Sequence, residues 1–142
     1  MRFRLALLMT LMLAVPTQAA ERPTDAEINA LVKANMEATQ AADLDALLST
    51  IHPDSLARPN MARALESLKA YKLRFQAPSA RFITMSGEFA LVRVVQQTIR
   101  VEGPDFFDNE IDGIWALKLD GAKWKYWTQM SLKTRSLAPV SQ

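Results

Sequence analysis

The chain of 142 residues contains no cysteine, which excludes a disulfide framework, a thiol nucleophile, an iron–sulfur cluster, a cysteine-ligated zinc site and an acylated lipoprotein cysteine. It has a single histidine, His52, so paired-histidine chemistry is excluded too. Glycine is scarce, at four residues, and G-x-S-x-G, G-x-x-x-x-G-K-[ST] and G-x-G-x-x-G are all missing, as are H-E-x-x-H and the N-x-[ST] sequon. Serine-triad hydrolysis, phosphate-loop nucleotide binding and a zincin site therefore fall away. An excess of charge is also lacking. Arg2 and Arg4 belong to an expected leader, and without them 15 basic residues face the 15 acidic ones. A neutral body without Lys/Arg blocks lacks the long-range attraction on which nucleic acid or an anionic membrane surface depends.

What is present begins with that leader. Arg2 and Arg4 form a positive start, Leu5 to Val15 is apolar apart from Thr10, and Pro16-Thr17-Gln18-Ala19-Ala20 ends in small residues. The pattern predicts a secretory signal peptide over 1–20, cleaved after Ala19 or Ala20, and a periplasmic or secreted product. The run is well short of the ~20 apolar residues of a spanning helix, so no stable membrane anchor is expected. A single domain over 21–135 and a frayed tail over 136–142 complete the expected organisation.

Thr24-Asp25-Ala26-Glu27 reads as a capping box. Ile28, Leu31, Val32, Asn35, Met36 and Thr39 follow it at one-face helical spacing. Asp43 is placed to cap a short helix through Leu44, Leu47, Leu48 and Ile51, stopped at His52 by Pro53. A third helix from Pro59 or Asn60 carries Met61, Leu65, Leu68 and Tyr71 on one stripe. After Leu73 the period falls to two and turn residues appear at hairpin spacing. Strands are predicted over 74–86, with a break or bulge near Pro78, and over 88–101, 107–119 and 123–133, the last two joined at Asp120-Gly121. Helices followed by long antiparallel strands specify an α+β domain, its N-terminal helices packed in the concave face of a strongly bent antiparallel sheet. Several strands are apolar on both faces, so one face is expected to cover the helices and the other to form a homodimer interface. Trp115, Trp124 and Trp127 are read as core or interface residues rather than stacking platforms.

This order of elements resembles the nuclear transport factor 2-like, or SnoaL-like, superfamily. The residues carrying the resemblance are Ala41-Ala42-Asp43-Leu44-Asp45-Ala46-Leu47, Ile51-His52-Pro53-Asp54-Ser55, and Ile114 to Tyr126 with their aspartate–glycine hairpin and Trp124-Lys125. The resemblance runs from Thr24 to Lys133 and implies a cone-shaped, cystatin-like barrel with a pocket between helices and sheet. It fixes no single activity, because this superfamily includes ketosteroid isomerase, scytalone dehydratase, limonene epoxide hydrolase, polyketide cyclases and many secreted or accessory members with no assigned activity. The isomerase pattern is incomplete: Asp43, Asp45 and Asp54 offer acids, but the first helix has no tyrosine. The dehydratase pattern lacks its second histidine. An epoxide-hydrolase-like Asp-Arg-Asp set would require Arg93 and Asp112 to converge with another acid.

The residues themselves offer three candidate constellations. His52 and Asp54 could form an acid/base pair, or else tether a helix end and start a turn. Asp108, Glu110, Asp112 and Gly113 alternate like the start of a calcium loop, but Leu119 stands where the closing Glu belongs. No metal and no cofactor are expected. Arg93 and Gln97 alternate with Phe89, Leu91, Val95 and Ile99, so they are either candidate ligand contacts together with Asn109, Trp115, Tyr126 and Thr128 or satisfied by an internal salt bridge or hydrogen bond. The preferred reading is a binding or accessory domain for a small apolar or amphipathic ligand. The alternative is a cofactor-independent lyase, isomerase or hydrolase with Asp54 or His52 as base.

Overall fold

Thr24 opens the first helix as the sequence predicts. In the computed structural model, which describes residues 19–137, its hydroxyl accepts from the Glu27 amide at 3.2 Å and the Glu27 carboxylate accepts from the Thr24 amide at 2.8 Å. Helix α1 spans Asp25–Gln40 and buries Ile28, Val32 and Met36 on one stripe. Ala42 then takes a left-handed conformation, φ 52°. Asp43 caps α2, Leu44–Ser49, by accepting from the Ala46 amide at 2.9 Å. A single 3₁₀ turn, Arg58–Asn60, leads into α3, Met61–Leu68. The expected leader lies outside the described residues as far as Gln18. Among the described residues no helix is long and apolar enough to cross a membrane.

Four antiparallel strands follow in chain order, β1 Lys72–Ser86, β2 Phe89–Glu102, β3 Asn109–Asp120 and β4 Lys123–Ser136. The sheet is unclosed, with β1 and β4 at its edges. A short parallel bridge between Ile51 and Tyr126 adds to the β4 edge. Register shifts bend β1 between Gln76 and Ser79, where a break near Pro78 is expected, and bend the β3–β4 ladder twice. Gly121, at φ 61°, begins the two-residue turn between Asp120 and Lys123, the position where glycine supplies positive φ at no steric cost. Several predicted limits move by one to three residues. Phe107 lies outside β3 and is exposed, and β4 runs on to Ser136, paired with Asn109, so the expected tail begins one residue inside a strand.

The inner face of β2 is its small-residue face. Ala90, Val92 and Val94 are fully buried against Ile28, Val32 and Met36, with Trp115 and Leu117 beside them. Helix α1 runs closest to β1, and the short side chains of β2 fill the core layer beside its apolar stripe. Phe89, Leu91, Arg93, Val95, Gln97 and Ile99 therefore point outward.

Gly113, in the middle of β3, is buried at one of the two β3–β4 register shifts. A Cβ there would lie 2.7 Å from the Met130 carbonyl oxygen, and backbone cannot yield cheaply. Gly113→Ala is therefore expected to cost about 1–3 kcal/mol by overpacking, read as a lower urea midpoint with unchanged slope. An unaltered midpoint would show that β3 and β4 are not held this closely.

Candidate functional site

At its N-terminal end α1 lies flat on the sheet, while towards its C-terminal end Asn35, Met36 and Thr39 face a cavity of about 190 Å³. The corner at Ala42 turns the chain so that Leu47 of α2 and Ile51 form one wall. Leu65 and Leu68 of α3 form the roof, and Phe75, Gln96, Trp115, Tyr126 and Gln129 supply the sheet wall. The helical layer is fastened to β4 by two backbone bonds of 2.9 Å, from the His52 amide to the Tyr126 carbonyl and from the Tyr126 amide to the Thr50 carbonyl. Arg58 ties the corner from outside, donating to the Leu48 and Ile51 carbonyls at 2.8 and 3.0 Å, which satisfies carbonyls left open at the end of α2.

The cavity is apolar with a few neutral polar groups, and its described lining contains no Asp, Glu, His, Lys or Arg. Asn35 donates to the Thr50 hydroxyl at 2.8 Å, and Thr39 donates to the Asn35 carbonyl at 2.8 Å. Trp115 and Tyr126 meet edge to face at 5.0 Å. Tyr126 is the one ionisable group on the wall, and burial raises its phenol above the ordinary value of 10.0.

The structure separates the candidates named from sequence. Trp115 and Tyr126 line the cavity. Arg93 and Gln97 do not, which corrects the expectation that they point inward. On the outer face Arg93 forks onto Asp112, with Nε 2.8 Å from Oδ1, and the guanidinium holds that carboxyl below its usual range, chiefly by hydrogen bonding. Gln97 bridges Gln76 and Glu110 at 2.7 Å each, and Glu110 also accepts from Arg135. Thr128 is exposed, opposite Ala116 on that same face. Asn109 sits at the far end of the sheet, donating to the Phe107 carbonyl at 3.2 Å, and its Oδ1 is buried without a partner. It does not reach the cavity.

His52 and Asp54 also stand apart from the cavity. His52 is buried against Trp127, ring centroids 5.3 Å apart, and its Nδ1 accepts from the Asp54 amide at 3.1 Å. The Asp54 carboxylate is exposed, 4.0 Å from both His52 Nδ1 and Lys118 Nζ. Ser55 completes the tether by donating to the Trp127 carbonyl at 2.6 Å. These contacts hold the turn after α2 against β4 and supply no base to the pocket. The calcium-like acids are engaged separately: Asp108 accepts from the Arg100 amide at 2.7 Å, while Glu110 and Asp112 face arginines. Among the described residues no cluster of His, Asp or Glu could hold a metal ion.

Sequence reasoning missed Gln96, Gln129 and Phe75 as cavity residues. Asn35 and Thr39 carried a usable signal, two polar side chains inside the apolar stripe of α1.

Residues 30–137 match the family described as the anti-sigma-I factor RsgI9, C-terminal domain. No curated protein matches the sequence significantly. Solved structures share the fold at low identity. An NTF2-like protein from Cytophaga hutchinsonii superimposes with TM-score 0.63 and 17% identity over 78% of this chain and 98% of its own. The beta subunit of the benzoate 1,2-dioxygenase from Burkholderia mallei gives 0.64 and 12% over 78% and 91%. A ketosteroid isomerase-like protein from Erwinia carotovora atroseptica gives 0.55 and 16% over 80% and 96%. The curved, unclosed α+β architecture is thus the NTF2-like, cystatin-like fold, and the chain belongs to the family of the anti-sigma-I factor RsgI9 C-terminal domain.

Proposed function

We propose that this protein is an exported, non-catalytic binding or accessory domain whose cavity between helices and sheet holds a small apolar or amphipathic molecule. The observation that carries this reading is the uncharged lining. General acid–base catalysis needs a group that changes protonation near the working pH. The one ionisable group on the wall, Tyr126, is moved further from neutrality by burial. A family named for the terminal domain of an anti-sigma factor is consistent with recognition rather than turnover. Export rests on the leader pattern of residues 1–20.

The same reading includes a homodimer through the outer sheet face. Leu91, Met130 and Leu132 stand 37%, 58% and 52% exposed there, beside the Arg93–Asp112 pair. An apolar strip whose acids are already paired is suited to burial against a second copy, with Arg81 and Lys133 left at its side towards water.

Native mass spectrometry of the protein produced with its own leader tests these elements in one spectrum. The expected species is a dimer lacking residues 1–19 or 1–20 and carrying the added mass of a small molecule. An apo monomer that retains its leader overturns export, pairing and ligand retention together.

Tyr126 gives a second test of the enclosed wall. Its phenol ionises at higher pH in the folded chain than in the unfolded one. The unfolded chain therefore releases this proton first, and the stability tied to the neutral phenol is lost as pH rises above ~10. In urea titrations at pH 9 and pH 11, Tyr126→Phe is expected to lose less stability over that interval than the parent. Equal losses would place the hydroxyl in open water.

A further inference from the structure

The polar groups around the cavity divide into two sets. On the helical side Asn35 and Thr39 are already committed, to Thr50 and to the α1 backbone. On the sheet side Gln96, Gln129 and the Tyr126 hydroxyl face the same space, and their side chains make no hydrogen bond to any described residue. Gln96 and Tyr126 are half-buried, whereas Gln129 is exposed, so this polar wall runs from the interior towards the rim. Among the described residues the only sealed and unpartnered side-chain atom is Asn109 Oδ1, so these three groups are open to water, which a ligand oxygen can displace.

Size narrows the occupant. An engineered apolar cavity of about 150 Å³ in another protein admits benzene, and this one measures about 190 Å³. One six-membered ring with a small substituent fills this half-open pocket, whereas a fused polycyclic ligand would project out of it. Charge narrows it further, since no described lining residue neutralises an ion and a charged ligand would lose its hydration without compensation.

From these observations, and resting on the binding role proposed above, we infer that the cavity takes a neutral single-ring ligand bearing one hydroxyl or carbonyl group. Its ring lies among Met36, Leu65 and Phe75, and its polar group is held by Gln96, Gln129 and Tyr126. An amide pair can donate and accept at once, so either oxygen function is recognised.

The test uses p-cresol, toluene and benzoate as probes, titrated calorimetrically into the folded protein and into Gln96→Leu. The expected order is p-cresol about tenfold tighter than toluene, with benzoate weakest. In Gln96→Leu the p-cresol affinity is expected to fall to the toluene level while toluene binding is retained, a pattern that general misfolding does not produce. If toluene binds the parent as tightly as p-cresol, or if the variant keeps the preference, the polar-wall inference is overturned and the binding role stands. Benzoate as the tightest probe overturns neutrality. Failure of all three probes with a folded protein removes the binding role itself.

Discussion

The packing of α1 across β1, with its apolar stripe in one core with the small-residue face of β2, is the constraint on which the other features depend. Ile28 and Val32 are almost fully buried against Ala90, Val92 and Val94, each such side chain contributing on the order of 1.5–3 kcal/mol when removed from water. This contact decides which side of a two-faced sheet is interior. It also positions the cavity, because α1 stays close to the sheet through Val32 and faces open space from Asn35 onward. The volume left beneath its last turns is enclosed by α2, α3 and the β4 bridge at Ile51 and Tyr126.

With the inner face chosen, the outer face must tolerate water or a partner. Its acids are matched in place, Asp112 with Arg93 and Glu110 with Arg135, and its apolar residues alternate with them. The inner face carries no such pairs and keeps only neutral polar groups near the cavity. Carboxylates, His52 and the basic side chains are thus kept away from the cavity, whose lining has Tyr126 as its one ionisable group.

Much of the fold was legible in the sequence because local signals agreed with one another. Thr24 and Asp43 cap where they are expected, whereas α2 ends at Ser49, before the expected stop at His52, because Ile51 and His52 pair with β4. Strand limits came within a few residues of those observed. The orientation of the sheet was not legible, since β2 reads as apolar on both faces. A physical clue was nevertheless present: Ala90, Val92 and Val94 are short and uncharged, whereas the alternate face carries an arginine that is costly to bury unpaired. Misassigning that face moved Arg93 and Gln97 into the pocket and hid Gln96, one residue away. The reach of Gln129 depends on β-bulges in the β3–β4 ladder, which strict alternation does not reveal.

Because the chain has no native cysteine, single cysteines at Val94 and Gln96 can report on the inner face directly, read as modification rates with methyl methanethiosulfonate and with a bulky maleimide. An enclosed neutral cavity beside a packed helix seat predicts that Val94→Cys resists both reagents, while Gln96→Cys reacts with the small reagent and is protected from the large one. Equal resistance at the two positions would mean that the space is filled. Rapid reaction of Val94→Cys would mean that the opposite face of the sheet is the interior.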